Sequence, residues 1–260
     1  MKTSNNTILI TGGGSGIGRG LAEAFHALRN QVIISGRSEK KLAETTAANP
    51  GMKSLTVDMT DRESIKTFAK RVTEEFPTLN VVINNAGTMA LENVLEQSAD
   101  DGNAGAIITT NLLGPIRLTL ALLPLLRNQS RATVMNVSSG LAFVPLAMTP
   151  TYCATKAALH SYTESLRYQL KKSTVEVLEL IPPYVQTTLM GDRQAGDPHA
   201  MPLAEFIAEV MEILKTQPHA TEINVERVRP LRFAFEGGSE KYDQFFTQFN
   251  DTMKAALTNG

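Results

Sequence analysis

A tyrosine and a lysine lie one helical turn apart in the segment TYCATKAAL, which is otherwise small and uncharged. Side chains four residues apart share a helix face, so Tyr152 and Lys156 can meet there. A phenol with its ordinary pKa of about 10 is a poor acid at neutral pH, and a neighbouring ammonium lowers that pKa because it favours the phenolate. The pair therefore indicates a general acid with its tuning cation. Two amphipathic side chains on a helix surface are the alternative.

A glycine-rich turn is the second chemical feature. The segment ILITGGGSGIGRGLAEAF contains a strand, a turn with Gly12, Gly16 and Gly18, and a helix in immediate succession. Glycines permit positive φ angles and close approach of a ligand, and the helix N-terminus offers free N–H groups to a pyrophosphate. The spacing departs from Gly-x-Gly-x-x-Gly, and a flexible surface turn is the alternative. In this context the turn predicts a dinucleotide site.

The end of the second predicted strand, ISGRSEKK, bears on the choice of dinucleotide. An acidic residue at this place binds the ribose hydroxyls of NAD, and Ser35 and Gly36 provide no carboxylate. Arg37 can instead form charge-assisted hydrogen bonds to a 2′-phosphate. We therefore expect NADPH or NADP+ as the cofactor, with NADH less favoured. Ser38, Lys40 or Lys41 could assist Arg37, and for Lys40 and Lys41 the favoured alternative is a solvated helix start.

The elements that must position these groups alternate along the chain. Short apolar runs rich in β-branched residues predict buried strands, and longer amphipathic patterns between them predict helices. The strands are expected at residues 7–11, 31–35, 53–57, 81–84, 132–138 and 175–181, and the helices at 16–28, 39–48, 61–75, 104–127 and 151–172. This alternation predicts an α/β fold of the doubly wound Rossmann type, with a mainly parallel seven-stranded sheet and helices on both faces.

The last third of the chain departs from this rhythm. Residues 182–202, PPYVQTTLMGDRQAGDPHAMP, are too many for an ordinary connection and are typical of a binding loop. A helix near 203–215, a seventh strand near 222–225 and a final helix near 240–257 complete the chain. No linker or repeat divides the sequence, so we expect one domain over residues 1–260 with a substrate loop at 182–202.

Composition narrows the class of function. The formal net charge of −1 offers no broad electrostatic field for nucleic acid or acidic membranes. No apolar run approaches the roughly 20 residues that span a bilayer, and the N-terminal segment does not resemble a signal peptide. The single cysteine, Cys153, has no partner for a disulfide, and the four histidines show no metal-ligand spacing. We expect a cytoplasmic protein that acts on a small molecule and binds no nucleic acid, membrane or metal.

Five motifs, in order along the chain, resemble those of the classical short-chain dehydrogenase/reductase family. They are TGGGSGIG at 11–18, NNAG at 84–87, Asn111, NVSS at 136–139 and YCATK at 152–156. The loop after the sixth strand begins Pro182-Pro183, where the family usually has Pro-Gly, and IPPYVQT is similar to the DltE-like subgroup of bacterial oxidoreductases. The resemblance implies hydride transfer between NADP(H) and a ketone or aldehyde and its alcohol, by a homodimer or homotetramer.

The resemblance also implies roles for residues of the chemical centre. Tyr152 would donate the proton, while Lys156 would bind the nicotinamide ribose and link Tyr152 to solvent through a proton relay. Asn111 would hold the relay water; a local helix irregularity is the alternative for this residue. Successive strand residues point to opposite faces, so only one of two adjacent serines can face Tyr152. The family separation favours Ser139 as the carbonyl polariser, and Ser138 is expected to be structural.

The remaining site residues are also implied by the resemblance. The expected cofactor-binding residues are Gly12, Ser15, Gly16, Ile17, Gly18, Arg37, Asp58, Met59, Asn85, Ala86, Gly87, Tyr152, Lys156, Pro182, Val185 and Thr187. The expected substrate pocket consists of Leu141, Val144, Leu146, Pro183, Tyr184, Leu189 and Met190, which indicates a fairly apolar carbonyl compound. A 3-oxoacyl-carrier reductase and a non-catalytic nucleotide-sensing Rossmann protein are the alternative functions.

Overall fold

A computed structural model describes residues 1–95 and 102–258 of the chain. Within them seven strands form one sheet: β1 (Thr7–Thr11), β2 (Gln31–Gly36), β3 (Lys53–Thr56), β4 (Val81–Asn84), β5 (Ala132–Val137), β6 (Val175–Leu180) and β7 (Glu222–Ile223). Their order is β3-β2-β1-β4-β5-β6-β7, and each pair of neighbours is parallel. The predicted doubly wound sheet is confirmed. Its strand order reverses between β1 and β4, the place where such sheets bind ligands.

Helices surround the sheet. Over the same residues they are α1 (Gly16–Ala27), α2 (Glu39–Ala48), α3 (Arg62–Glu75), α4 (Ala104–Ile108), α5 (Gly114–Arg127), α6 (Pro150–Leu170), α7 (Asp192–Gly196), α8 (Leu203–Thr216), α9 (Arg229–Arg232) and α10 (Ser239–Thr258). Side-chain caps mark two of the starts: Ser38 Oγ accepts a hydrogen bond from the Lys41 N–H, and the Asp61 carboxylate accepts one from the Glu63 N–H. Such caps satisfy N–H groups that have no partner inside the helix.

Apolar side chains fill a core on each face of the sheet. On β1, Ile8 and Ile10 belong to the core that includes residues of α1 and α8, whereas Leu9 belongs to the core that includes α3 and α5. All three side chains are fully buried. Because alternate residues point to opposite faces and both faces are covered, the three central residues of the strand are all apolar.

The predicted helix over residues 104–127 changes type along its length. Between α4 and α5 lies a π-helical segment, Thr109–Leu113. By length and composition Ala104–Arg127 is apolar enough to cross a membrane, which the sequence interpretation did not recognise. In the fold, its side chains Leu118 and Leu122 are fully buried in the core beneath the sheet. This helix therefore serves as a covering layer of the sheet.

The chain after β6 contains more regular structure than predicted. Residues 182–202 include α7, and a parallel bridge joins Val185 to Met201. The Gln194 side chain donates a hydrogen bond to the Val185 carbonyl at 2.8 Å. Helix α10 returns to the loop after β5, where Asn250 Nδ2 donates to the Pro145 carbonyl at 3.0 Å. These bonds place both segments beside the carboxyl edge of the sheet.

Candidate active site

The glycine turn between β1 and α1 is packed closely against the segment after β4. Gly12 has a φ of +68°, and a Cβ on it would lie 3.0 Å from Ala86 Cα. Gly16 also has a positive φ, of +51°. A Cβ on Gly18 would collide with the Gly12 carbonyl. Only glycine fits these positions without strain, and the turn presents its backbone at the N-terminus of a helix, as phosphate-binding loops do.

Thr11 joins this turn to the NNAG segment. Its Oγ1 accepts hydrogen bonds from the backbone N–H groups of Asn85 and Ala86, each at 3.0 Å. The Asn85 side chain donates in return to the Thr11 carbonyl at 3.0 Å. These bonds hold the ends of β1 and β4 together, so the turn and residues 84–87 form one wall of a cleft.

The chemical centre lies where β5 ends and α6 begins. The Ser139 hydroxyl is a hydrogen-bond partner of the Tyr152 phenol, and both side chains are buried. The Lys156 ammonium lies 5.6 Å from the centroid of the Tyr152 ring and donates to the Val137 carbonyl at 2.8 Å. The structure thus brings three of the predicted side chains to one point of the sheet edge.

Burial dominates the acid–base properties of this centre. It raises the pKa of Tyr152 above its usual range, and the hydrogen bond with Ser139 opposes that rise. Burial also lowers the pKa of Lys156 to about 8, while the Glu179 carboxylate opposes the lowering. The net direction for Tyr152 is opposite to the lowering expected from the sequence, because desolvation of the phenolate is the largest cause. At neutral pH the phenol therefore carries its proton and can donate it.

Asn111 lies in the π-helical segment and is fully buried. Its Oδ1 accepts from the Thr88 N–H and its Nδ2 donates to the Thr88 carbonyl, each at 2.8 Å. The Nδ2 also donates to Thr155 Oγ1 at 3.2 Å, which ties Asn111 to α6. The irregular helix considered as an alternative is present, and it directs this side chain toward the residues beside the site. A role in holding a relay water stays a prediction.

Glu92 fixes the start of α6, which the sequence did not predict. Its carboxylate accepts hydrogen bonds from the Thr151 N–H at 3.1 Å and from the Thr151 hydroxyl at 2.7 Å. The N-cap residue of this helix, Thr149, makes no side-chain cap bond. Glu92 lies 59 residues earlier in the chain, so no local capping pattern could have revealed it. Through this contact Glu92 positions the helical turn that carries Tyr152.

One cavity of about 440 Å³ connects the glycine turn with the chemical centre. The expected cofactor residues that line it are Gly12, Ser15, Gly16, Ile17, Arg37, Asn85, Ala86, Gly87, Tyr152, Lys156, Pro182, Val185 and Thr187. The expected substrate residues that line it are Leu141, Leu146, Pro183, Tyr184, Leu189 and Met190, and Ser139 lies among them. The cofactor and substrate predictions thus meet in a single cleft.

Two expected contact residues are packing residues in the structure. Val144 is fully buried and is not among the cavity-lining residues, so its assignment to the substrate pocket is corrected. Gly18 also lies outside the lining, because it packs directly against the Gly12 carbonyl. The absence of its side chain allows the turn to close on the helix.

Three more expected site residues are not among those that line the cavity: Asn111, Asp58 and Met59. One oxygen of Asp58 accepts from the N–H and the hydroxyl of Thr60, at 2.9 and 2.7 Å. These two bonds, with a smaller contribution from the Arg37 charge, hold the pKa of Asp58 below its usual value. Met59 is buried, and a Cβ on Gly114 would contact it. The expected cofactor contacts of Asp58 and Met59 stay predictions.

The two ends of the cavity differ in chemistry. One end carries Arg37 and Lys41; Lys41 is exposed, as expected for a solvated helix start, and it also lines the cavity. At the other end the lining includes Met89, Leu231, Phe249 and Met253, none of which was predicted. Phe249 and Met253 lie one turn apart on α10 and pack against the apolar cluster that contains Tyr152. The sequence shows an amphipathic final helix but nothing that places it there.

Comparison with known proteins supports the family. Residues 6–198 match the family model for short chain dehydrogenases. The chain is 40% identical over 253 residues to the Bacillus subtilis (strain 168) protein named uncharacterized oxidoreductase DltE, covering 96% of this chain and 98% of that protein. It is 30% identical over 230 residues to an uncharacterized oxidoreductase of Staphylococcus aureus (strain N315), covering 86% of this chain and 96% of that protein.

Solved structures share the fold. A short chain dehydrogenase from Burkholderia cenocepacia J2315 in complex with NADP has a TM-score of 0.80 at 23% identity, covering 95% of this chain and 99% of that chain. A short chain dehydrogenase/reductase from Burkholderia phymatum in complex with NAD has a TM-score of 0.78 at 22% identity, covering 91% of this chain and 95% of that chain. With the family match and the 40% identical relative, these findings show that the chain belongs to the short-chain dehydrogenase/reductase family of oxidoreductases, in its DltE-like group.

Proposed function

We propose that this protein is an NADP(H)-dependent oxidoreductase that interconverts a ketone or aldehyde and its alcohol, with Tyr152 as the general acid and base. The observation that carries the proposal is the single cavity, which extends from Arg37 past the glycine turn to Tyr152 and an apolar pocket. A basic end suits a phosphate, and an apolar end suits an uncharged carbonyl compound. A dinucleotide is the kind of ligand that joins two such ends.

The side chains of the centre divide the reaction among them. A reduced nicotinamide, when bound, supplies the hydride to the carbonyl carbon. The hydroxyls of Ser139 and Tyr152 donate hydrogen bonds to the carbonyl oxygen, and Tyr152 releases its proton to the alkoxide as it forms. The Lys156 ammonium, held by the Val137 carbonyl, stabilises the phenolate that remains. In alcohol oxidation the same groups act in reverse.

The residues present fit the cofactor. The backbone N–H groups at Gly12 and Gly16 would hold the pyrophosphate. Glycine is required at both positions because a side chain there would be strained or too close to its neighbours. A Cβ on Gly16 would also contact Thr187, at 3.3 Å, which shows how closely the substrate loop approaches the turn. Val185 and Thr187 would then hold the nicotinamide amide, and Lys156 the ribose hydroxyls.

NADP rather than NAD is proposed from the charges at the adenosine end. Arg37 and Lys41 both line the cavity there, and β2 ends without a carboxylate that would repel a 2′-phosphate. Among the structures that share the fold, one contains NADP and another contains NAD. The fold therefore does not select the cofactor, and the proposal of NADP rests on Arg37 and Lys41.

Cofactor choice should change when Arg37 changes sign. Arg37→Asp replaces attraction to the 2′-phosphate by repulsion, and we expect the KM for NADPH to rise about 10- to 100-fold, as for the loss of one charge-assisted hydrogen bond. The KM for NADH should change little. Steady-state kinetics with both cofactors measures this, and Lys40→Asp, a neighbouring exposed site outside the cavity lining, is the control. Equal effects on the two cofactors would remove Arg37 from this role.

The substrate proposal is tested with purified protein and NADPH. The panel runs from apolar ketones and aldehydes to charged ketones and 3-oxoacyl thioesters, and absorbance reports NADPH consumption. Because Leu141, Leu146, Phe249 and Met253 surround the pocket beside Tyr152, apolar members should be reduced fastest. A preference for the thioesters would favour the acyl-carrier alternative. NADPH binding without turnover of any member would favour a nucleotide sensor.

We also propose a homodimer, or a tetramer of such dimers, assembled through α4, α5 and α6. Large apolar side chains are exposed on these helices: Ile108 is 41%, Leu120 56% and Tyr168 69% exposed. Covering them with a symmetry mate would remove apolar surface from water. Light scattering at micromolar concentration should give at least twice the mass of one chain, and a monomeric mass would contradict this assembly.

The proposed location is the cytoplasm. Cys153 is a buried free thiol, and burial raises its pKa, so it is a packing residue suited to a reducing compartment. We propose a small molecule as the partner, with no role for nucleic acid, membrane or metal.

A further inference from the structure

A group of charged side chains lies behind the chemical centre, and the mechanism above leaves it unused. At its middle is Glu179 on β6, whose side chain has no solvent exposure. Its Oε1 accepts a hydrogen bond from the Ser138 hydroxyl at 2.5 Å, and its Oε2 lies 2.8 Å from His160 Nδ1 on α6. A buried carboxylate held from two sides in this way needs a physical reason, because burying a charge costs free energy.

Metal binding does not account for the group. Single ligand atoms of His160, Glu179 and Glu222 lie within 4.8 Å of one another, a spacing that could hold an ion. However, Arg232 donates two hydrogen bonds to the Glu222 carboxylate, at 2.7 and 2.8 Å. The guanidinium would repel a cation, and the facing atoms of His160 and Glu179 already bind each other. The group is therefore an ion-pair network.

The network is adjacent to Lys156. Lys156 and His160 are four residues apart on α6 and share a helix face. Lys156 is 4% exposed, and Glu179 is the one carboxylate with no exposure in the part of the chain that the structure describes. The Lys156 ammonium also donates to Val137, the residue before Ser138, so both buried charges hold the same strand end. That strand end carries Ser139.

We propose that Glu179, clamped by Ser138 and His160, is the counter-charge of the Lys156 ammonium and hence a positioning residue of the reaction. The inference rests on the proposed function of Lys156. Burial lowers the pKa of Lys156, and attraction to Glu179 acts in the opposite direction, which keeps the ammonium charged nearer to neutral pH. Without this carboxylate the pKa of Lys156 would fall further, so a smaller fraction of the side chain would be the ammonium that stabilises the phenolate.

The other charges that face the network set the size of the effect. The hydrogen bond to Glu179 is the largest cause of the raised pKa of His160, so His160 tends to be a cation and shares the carboxylate with Lys156. Glu164 lies 3.7 Å from His160 on its solvent side and is 59% exposed. Glu222 is neutralised by Arg232. Glu179 is therefore the carboxylate whose removal should act most strongly on Lys156.

The test is an NMR titration of Lys156 in protein carrying lysine labelled at Cε, with the resonance assigned by its absence in Lys156→Ala. Glu179→Gln keeps the shape and removes the charge, and it should lower the pKa of Lys156 by about one unit, as expected for one nearby charge in a protein interior. His160→Gln should raise that pKa, because the carboxylate then serves Lys156 alone. Glu164→Gln, which removes an exposed charge beside the same histidine, is the matched control and should cause no measurable shift.

Activity gives an independent reading of the same effect. With a ketone that the parent protein reduces, Glu179→Gln should lose turnover at neutral pH and regain it as the pH falls below the lowered pKa of Lys156. Opposite shifts of the Lys156 pKa in Glu179→Gln and His160→Gln would exclude general damage to the fold. If Glu179→Gln does not fold, the titration of Lys156 in His160→Gln tests the proposal, which requires a raised pKa of Lys156 in that variant.

The outcomes separate this inference from the proposed function. A Lys156 pKa that stays at the parent value in both Glu179→Gln and His160→Gln overturns the role of Glu179, whatever happens to turnover. Parent-like turnover in Tyr152→Phe would instead overturn the proposed mechanism and leave the titration result intact.

Discussion

Tyr152→Phe should lower the rate of ketone reduction about 10²- to 10⁴-fold, the range that general acid catalysis contributes. The change deletes one hydroxyl and keeps the ring, so packing against the apolar cluster around Tyr152 is preserved. NADPH affinity should be nearly unchanged, because the cofactor keeps the glycine turn, Arg37 and Lys156. Initial rates with a reducible ketone and the dissociation constant for NADPH, measured by fluorescence, give the two quantities.

The control for this variant is Tyr162→Phe, which makes the same change two to three helical turns later on α6. Tyr162 is half-buried and packs on the opposite side of the sheet from α8, in the core that contains α3 and α5 residues. Its loss of a hydroxyl should leave turnover at the parent level. If Tyr152→Phe behaved in the same way, the proton donor would have to be another group and the assignment of Tyr152 would be abandoned.

Lys156→Ala should damage both turnover and cofactor binding. The phenolate loses its cation and the ribose loses its donor, so we expect kcat to fall by at least about 10²-fold and NADPH affinity by about 10-fold, as for a lost hydrogen bond to a charged group. The Val137 carbonyl also loses its donor, at a cost of about 1–3 kcal/mol in the free energy of unfolding. Kinetics, calorimetric titration with NADPH and thermal denaturation measure the three effects.

Lys171→Ala provides the comparison for Lys156. Lys171 follows the last residue of α6 and is exposed, with its ammonium 3.6 Å from the centroid of the Tyr168 ring. Its removal should leave turnover and NADPH affinity unchanged. Lower turnover with parent-like NADPH affinity in Lys156→Ala would restrict this lysine to the phenol, and no change in either would return it to the role of a packing residue.

The sequence was sufficient for the architecture, and its resemblance to the family implied most of the cavity lining. Local patterns predict six strands and the helices between them, because a strand covered on both faces is apolar over most of its length. In a parallel sheet the carboxyl ends of neighbouring strands meet at one edge. Motifs that follow β1, β4 and β5 could therefore be placed in one cleft without knowledge of any contact, and Gly12, Asn85 and Ser139 do line it.

Tertiary structure decided the features that depend on distant contacts or on burial. Glu92 caps α6 from 59 residues away, and Phe249 and Met253 reach the pocket from the far end of the chain. Local sequence patterns cannot predict contacts between residues so far apart in the chain. Strand β7 also ends at Ile223, two residues before the end that the sequence predicted.

The acid–base properties of the chemical centre were also decided by the tertiary structure. The sequence supplied Tyr152 and Lys156 at the right spacing, and from spacing alone a cation lowers the pKa of a phenol. Folding removes both groups from water, and the loss of hydration raises the pKa of Tyr152 and lowers that of Lys156. Folding also brings Glu179, 23 residues after Lys156 in the chain, to the end of β5, where Lys156 donates to the Val137 carbonyl. Residue types and local spacing therefore determined which groups can react, whereas their protonation was decided by the packing that excludes water from them, a property of the whole fold.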